Sequence, residues 1–155
     1  FDAVLYTGNG TSQSVTGVGF APDFVWIKNR TNARDHVLTD AVRGATNRLK
    51  SNSTDAEATD AEDLQSFDTD GFTVGSADRV NQSPDSFVAW NWKAGGAAVT
   101  NTAGSITSQV SASPTAGFSI VTYTGTGANA TVGHGLGVAP KMIIQKDRES
   151  TEQWW

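Results

Sequence analysis

The sequence predicts an all-β protein folded as an antiparallel β-sandwich, on three observations. Short runs rich in Val, Ile, Phe, Tyr, Trp and Thr are separated by turn residues at spacings of about 8 to 15 positions. Glycine occurs 16 times in 155 residues, and Thr, Ser, Asn and Ala fill much of the remainder. Only 17% of residues are charged and 37% are hydrophobic, both below usual values for a soluble domain, which is poor material for a helical bundle. Seven or eight short strands are expected, with little helix and with a jelly roll among the possible arrangements.

Asp2 to Tyr6 is β-prone and ends at Gly8-Asn9-Gly10; Ser12 to Val18 follows at strand-like density. After the turn at Ala21-Pro22-Asp23, Phe24 to Lys28 places Phe24, Trp26 and Lys28 on one face and Val25 and Ile27 on the other. A strand apolar on both faces belongs in the middle of a sheet. His36 to Leu38 is a further strand, and Thr39 to Gly44 is a tight connection closing on glycine. Residues 51–63 are small, polar and acidic, as in a surface loop with room for one helical turn. Leu64 to Phe67 and Gly71 to Gly75 flank the turn Asp68-Thr-Asp-Gly71. Phe87 to Trp92 alternates Phe87, Ala89 and Asn91 with Val88, Trp90 and Trp92, and has one strongly apolar face.

The chain repeats itself. Tyr6-Thr-Gly-Asn-Gly10 returns as Tyr123-Thr-Gly-Thr-Gly127, an offset of 117. Gly19-Phe-Ala-Pro22 returns as Gly137-Val-Ala-Pro140, an offset of 118, and Lys28-Asn29-Arg30 as Lys146-Asp147-Arg148. Three blocks in the same order imply a duplicated domain with a period too long for a solenoid. The expected organisation is a sandwich at 1–93, a Gly/Ser/Thr-rich linker or edge strand at 94–116, and a truncated second copy at 117–155. A chain starting at Phe1 and stopping at Trp154-Trp155 reads as an excerpt of a longer one. Strands of an incomplete copy cannot bury their apolar face alone, and their open edges invite strand addition. Repetition of the Lys-X-Arg block implies a shared role, such as a strand-end cluster with Asp40 and Arg43 as partners.

Gly19 to Arg30, Asp40-Ala-Val-Arg-Gly44, Phe67-Asp-Thr-Asp-Gly-Phe72 and Val88-Ala-Trp-Asn-Trp-Lys93, with Tyr6 to Gly10, resemble a β-rich domain found in virion proteins of tailed phages, marine and cyanobacterial ones especially. In those proteins it often stands in tandem, its second copy opening as Gly117 to Gly125 does here. The resemblance implies a structural role in the phage particle, in a tail fibre or another tail-associated part, serving assembly or host-surface attachment. It implies no chemistry. The expected partners are further copies in a symmetric homo-oligomer, a trimer being favoured, other virion proteins, and a host-surface glycan. The alternative is a carbohydrate-binding or adhesion module of a secreted protein.

Elementary chemistry narrows the rest. A net charge of −5 with 11 scattered basic residues does not suit a phosphate backbone, and no apolar run is long enough for membrane insertion as a helix. The absence of cysteine excludes disulfides, thiolate zinc sites and a cysteine nucleophile. No catalytic residues and no cofactor are assigned. Asp68 and Asp70 flank one turn and are too local to straddle a glycosidic bond, while His36 and His134, the two histidines, stand beside no nucleophile elbow. The spacing of Asp68 and Asp70 ahead of Gly71 leaves them as calcium candidates. Five tryptophans could stack on sugar faces. Trp26 and Trp90 hold core-like strand positions where burial is expected. Trp154 and Trp155, aligned with His36 and Val37, are therefore the ligand-binding candidates.

Overall fold

The computed structural model describes all 155 residues. In chain order its first strands are β1 (Asp2–Thr7), β2 (Gln13–Thr16), β3 (Phe24–Asn29), β4 (Val37–Asp40), β5 (Asn47–Arg48) and β6 (Ala58–Thr59). They are followed by β7 (Leu64–Asp68), β8 (Gly71–Val74), a four-residue helix α1 (Asp78–Asn81) and β9 (Ser86–Trp92). The last are β10 (Val99–Asn101), β11 (Ser108–Ser113) and β12 (Phe118–Tyr123).

A four-stranded antiparallel sheet in the order β1-β9-β3-β4 faces a three-stranded sheet in the order β2-β8-β7. Period-2 alternation decides which side chains meet. Val25, Ile27, Val37, Phe87 and Ala89 from the first sheet pack against Val15, Leu64, Phe72 and Val74 from the second, with Val80 of α1 closing one end. Burying each of the Val, Ile, Leu and Phe side chains stabilises the fold by roughly 1.5–3 kcal/mol before entropy is subtracted, and Ala89 by less. The sandwich is thus all-β and antiparallel, as expected, and β3 lies between β9 and β4 inside its sheet.

Twelve strands form where seven or eight were expected, and the excess has local causes. β5 and β6 are two-residue strands pairing Asn47 with Thr59 and Arg48 with Ala58. The polar stretch 51–63 therefore contains a strand rather than a helical turn. The helical turn sits at α1, whose four residues are too few to show a helical period.

The stretch expected as a linker or edge strand, 94–116, carries β10 and β11, and β11 is not an edge but the central strand of a third sheet, β10-β11-β12. Small residues allow this. The Gly95 amide donates to Ser111 Oγ at 3.0 Å, and a Cβ on Gly95 would lie 2.4 Å from the Ala112 carbonyl oxygen. The sheet is anchored to the sandwich through the buried Asp23, whose carboxylate accepts from the Ala94 amide at 2.7 Å.

After Tyr123 the chain adds no strand to the sandwich. It bridges Val132 to Gly104 and Ile106 beside the third sheet, then runs over the outside and closes one reciprocal backbone pair, Gln145 with Trp155, at 2.9 and 3.0 Å. This pair corresponds, at the offset of 118, to Ile27 with Val37 in β3 and β4. The turn between also recurs. Lys28 Nζ donates to the Asn29 carbonyl at 2.6 Å, and Lys146 Nζ to the Asp147 carbonyl at 2.6 Å. Asn29 Oδ1 accepts from the Thr31 and Asn32 amides, while Asp147 accepts from the Glu149 amide and the Ser150 hydroxyl.

Candidate functional site

Two surfaces carry side chains that the fold does not need for its own core. The first is the outer face of the four-stranded sheet. Alternation sends Phe87, Ala89 and Asn91 inward, so Val88, Trp90 and Trp92 stand on the opposite side with Phe24, Trp26 and Lys28 of β3. Trp26 and Trp90 are therefore not core residues, and the strongly apolar face of β9 is its outer one. They are half-buried and meet edge to face at 5.9 Å. Phe24 meets Trp92 at 5.3 Å, and Phe1 meets it at 4.8 Å. Phe118 of β12 stacks on Trp92 at 5.9 Å, covering that end of the row. Leu5 and Phe1 continue the face onto β1, 65% and 66% exposed.

His36 belongs to this surface. Its Nδ1 accepts from Trp26 Nε1 at 2.8 Å, which points the indole N–H toward the start of β4. Burial, then the nearby Lys28 ammonium, hold the imidazole below its ordinary pKa. A neutral imidazole is what the acceptor role requires. His134 lies elsewhere: its Nδ1 accepts from the Leu136 amide at 3.2 Å within a glycine-rich turn. The two histidines are thus each engaged in local structure.

The second surface is where residues 148–154 meet the Lys50–Glu57 loop. The Glu57 amide donates to the Arg148 carbonyl at 2.8 Å. The Arg148 guanidinium returns two bonds to the Glu57 carboxylate, at 2.6 and 3.1 Å. Glu57 also accepts from Arg43 at 2.7 Å, and Arg43 pairs with the buried Asp40 at 2.5 Å. Charges alternate along Asp40, Arg43, Glu57 and Arg148. Partial burial opposes the charge on Glu57, but Arg148 and Arg43 outweigh it and hold the carboxyl below its ordinary value.

Trp154 completes this contact. Its Nε1 donates to the Lys50 and Ser53 carbonyls at 2.9 and 3.1 Å. The neighbouring Trp155 is 77% exposed. The two candidates do not form one stacking platform: Trp154 clamps a loop, and Trp155 alone faces solvent. Of the two repeated blocks only Arg148 reaches Asp40 and Arg43, through Glu57, while Arg30 forms no ion pair, so the expected strand-end cluster is not shared by both copies. Lys28 and Lys146 instead bind backbone carbonyls in their own turns. Glu57 was hidden in an acidic loop, with no sequence signal marking it from its neighbours.

The calcium candidates diverge. Asp70 accepts from the Gly17 and Gly19 amides at 3.1 and 2.6 Å. Asp68 accepts from the Ser66 and Thr73 hydroxyls at 2.8 and 2.7 Å. Asp70 thus ties the hairpin turn to the loop after β2, whereas Asp68 braces the two strands of the hairpin itself. No group of three or more His, Cys, Asp or Glu side chains is placed to share a metal ion.

These features define an antiparallel β-sandwich carrying an aromatic outer face and an appended, externally docked segment. The chain belongs to the family described as a domain of unknown function, DUF7483, whose profile matches residues 1–155. No curated protein and no solved structure matches it.

Proposed function

We propose that this chain is a structural component of a phage particle, in a tail fibre or another tail-associated part, working by self-association rather than by catalysis. The observation that carries the assembly reading is the apolar surface of the last third of the chain. Val138, Met142, Ile143 and Ile144 are 57–77% exposed within seven residues, close to Trp155. Contiguous exposed apolar side chains mark interaction surfaces. The resemblance to phage virion domains supplies the setting, and a symmetric homo-oligomer supplies the partner.

Sedimentation over a range of about 1 to 100 µM tests the assembly reading, since mass action should drive subunits together across it. Self-association is expected, and Ile143→Asp with Ile144→Lys should abolish it while leaving the far-ultraviolet spectrum unchanged. A chain that stays monomeric throughout overturns the reading. The virion setting is tested separately by antibody labelling of purified particles, where decoration of tails is expected and absence of the chain rejects it.

The aromatic outer face favours a second reading, carbohydrate binding, because Trp26 and Trp90 stand half-exposed beside Lys28. Quenching or enhancement of tryptophan fluorescence on titration with host polysaccharide, lost in Trp90→Ala, would favour it over assembly.

A further inference from the structure

We infer that Lys28 and His36, with Trp26 and Trp90, form a subsite for a carboxylate-bearing sugar of an acidic polysaccharide. The inference rests on the carbohydrate-binding reading of the aromatic outer face and deepens it by naming the class of sugar.

Strand geometry assembles the four side chains. Trp26 and Lys28 are two positions apart on β3, so they share a face about 7 Å from one another. Trp90 lies opposite Trp26 across the β3–β9 ladder, and the two rings meet at 5.9 Å. His36 immediately precedes β4, on the other flank of β3, and its ring lies 5.8 Å from that of Trp26. Phe118 covers the Trp92 end of the row, while Trp26, Trp90 and Lys28 stay half-exposed at the other end.

The polar groups at that end are donors. Lys28 Nζ bonds two backbone carbonyls, of Asn29 at 2.6 Å and Asn32 at 3.5 Å, which leaves its charge unmatched by any carboxylate. His36 Nδ1 accepts from the Trp26 indole at 2.8 Å, so the neutral imidazole carries its proton on Nε2. No group of the chain accepts from that Nε2. The Lys28 charge is felt at the imidazole and, after burial, helps to hold it neutral, which places the two donors side by side. An ammonium next to a free N–H matches the acceptor-only chemistry of a carboxylate.

The chain's own anions do not compete for these donors. Asp40, the one acid whose side chain stands on this face, is buried against Arg43. Asp35 is paired with Lys50 and Asn52, and the buried Asp85 accepts from Asn29 and Asn32. A sugar ring packed by its apolar face on the indoles brings a carboxylate at the ring edge to Lys28 and His36. A neutral sugar offers these two donors no charge to meet.

The test titrates the intact chain with oligomers of galacturonate and of sialate, each beside its methyl ester, which keeps the rings and removes the charge. Indole and imidazole N–H signals are followed by NMR. One acid should bind at least about fivefold tighter than its ester in low salt, the preference shrinking in about 0.5 M salt. The signals of Trp26, Trp90 and His36 should move, and that of Trp154 should not. Lys28→Gln should lower the affinity for the acid to that for the ester, and Lys28→Arg, which keeps the charge, should restore it. Equal binding of acid and ester overturns the inference, as does an acid preference that survives Lys28→Gln. No response to either acid also overturns it; a host polysaccharide that still shifts the Trp90 signal then leaves the carbohydrate reading standing without its acidic sugar.

Discussion

Asn81 shows how a single side chain can organise a loop that no pattern in the sequence reveals. It is fully buried, and its amide oxygen accepts from the Asn9 backbone and from Gln13 Nε2 at 2.9 and 2.7 Å. Its nitrogen donates to the Thr11 and Gly75 carbonyls at 2.5 and 2.7 Å. Asn81→Ala leaves buried donors and acceptors unpaired, and each such group costs about 1–3 kcal/mol, so a destabilisation of about 2–4 kcal/mol is expected in denaturant unfolding. A change below about 0.5 kcal/mol would show that water replaces the amide. Gly71 is the complementary case, and it was legible: Asp-Gly at a hairpin marks the turn. Its φ is +151°, and a Cβ there would lie 1.9 Å from the Val15 carbonyl oxygen. Gly71→Ala must therefore push β2 away from β8, at a cost of about 2 kcal/mol or more, read as a fall in the unfolding midpoint. Glycine in a turn announces itself by type. Asn81 bonds partners some 70 positions away, and composition carries no trace of that.

At the scale of elements, alternation made β1, β3, β7, β8 and β9 readable, because each is long enough to show a period of two. It did not say which face of β9 is the core. Phe-Ala-Asn looks less apolar than Val-Trp-Trp, yet the first set is buried because β3 offers Val25 and Ile27 on that side. The repeat marked Arg148, with Asp40 and Arg43 as partners, but not Glu57, the link between them, which sits in a polar and irregular loop. The chemistry of this contact makes it sensitive to acid. The folded Glu57 carboxyl titrates below its unfolded value of about 4.3, so its contribution is complete above that pH and fades as pH falls through the folded value. The docked 148–154 segment should therefore loosen as pH drops below about 4, with the Trp154 indole N–H signal in NMR exchanging faster. Glu57→Gln should loosen it already at pH 7. An indole signal that is unchanged in both cases would show that Trp154, not the ion pair, holds the segment.

Across the whole molecule, the repeat was the strongest signal in the sequence and the core was the most localised result. All ten residues of the core cluster lie between Val15 and Ala89. Residues 141–155 contribute none of them and touch the sandwich mainly through Glu57, Lys50 and Ser53. Two physical consequences follow from this separation of core and appendage. Deleting 141–155 removes exposed apolar surface and one docking contact, so the unfolding midpoint of the sandwich should move by only a few degrees, about the shift expected for 1 kcal/mol in a domain of this size. The same deletion removes Met142, Ile143, Ile144 and Trp155, and the proposed self-association is expected to be lost with them. Calorimetry and sedimentation on one truncated protein thus read two separable quantities. A midpoint lowered by ten degrees or more would mean that the appended segment is part of the cooperative unit. In that case its exposed side chains would owe their position to folding of the single chain, and the case for a surface made to meet another subunit would fail.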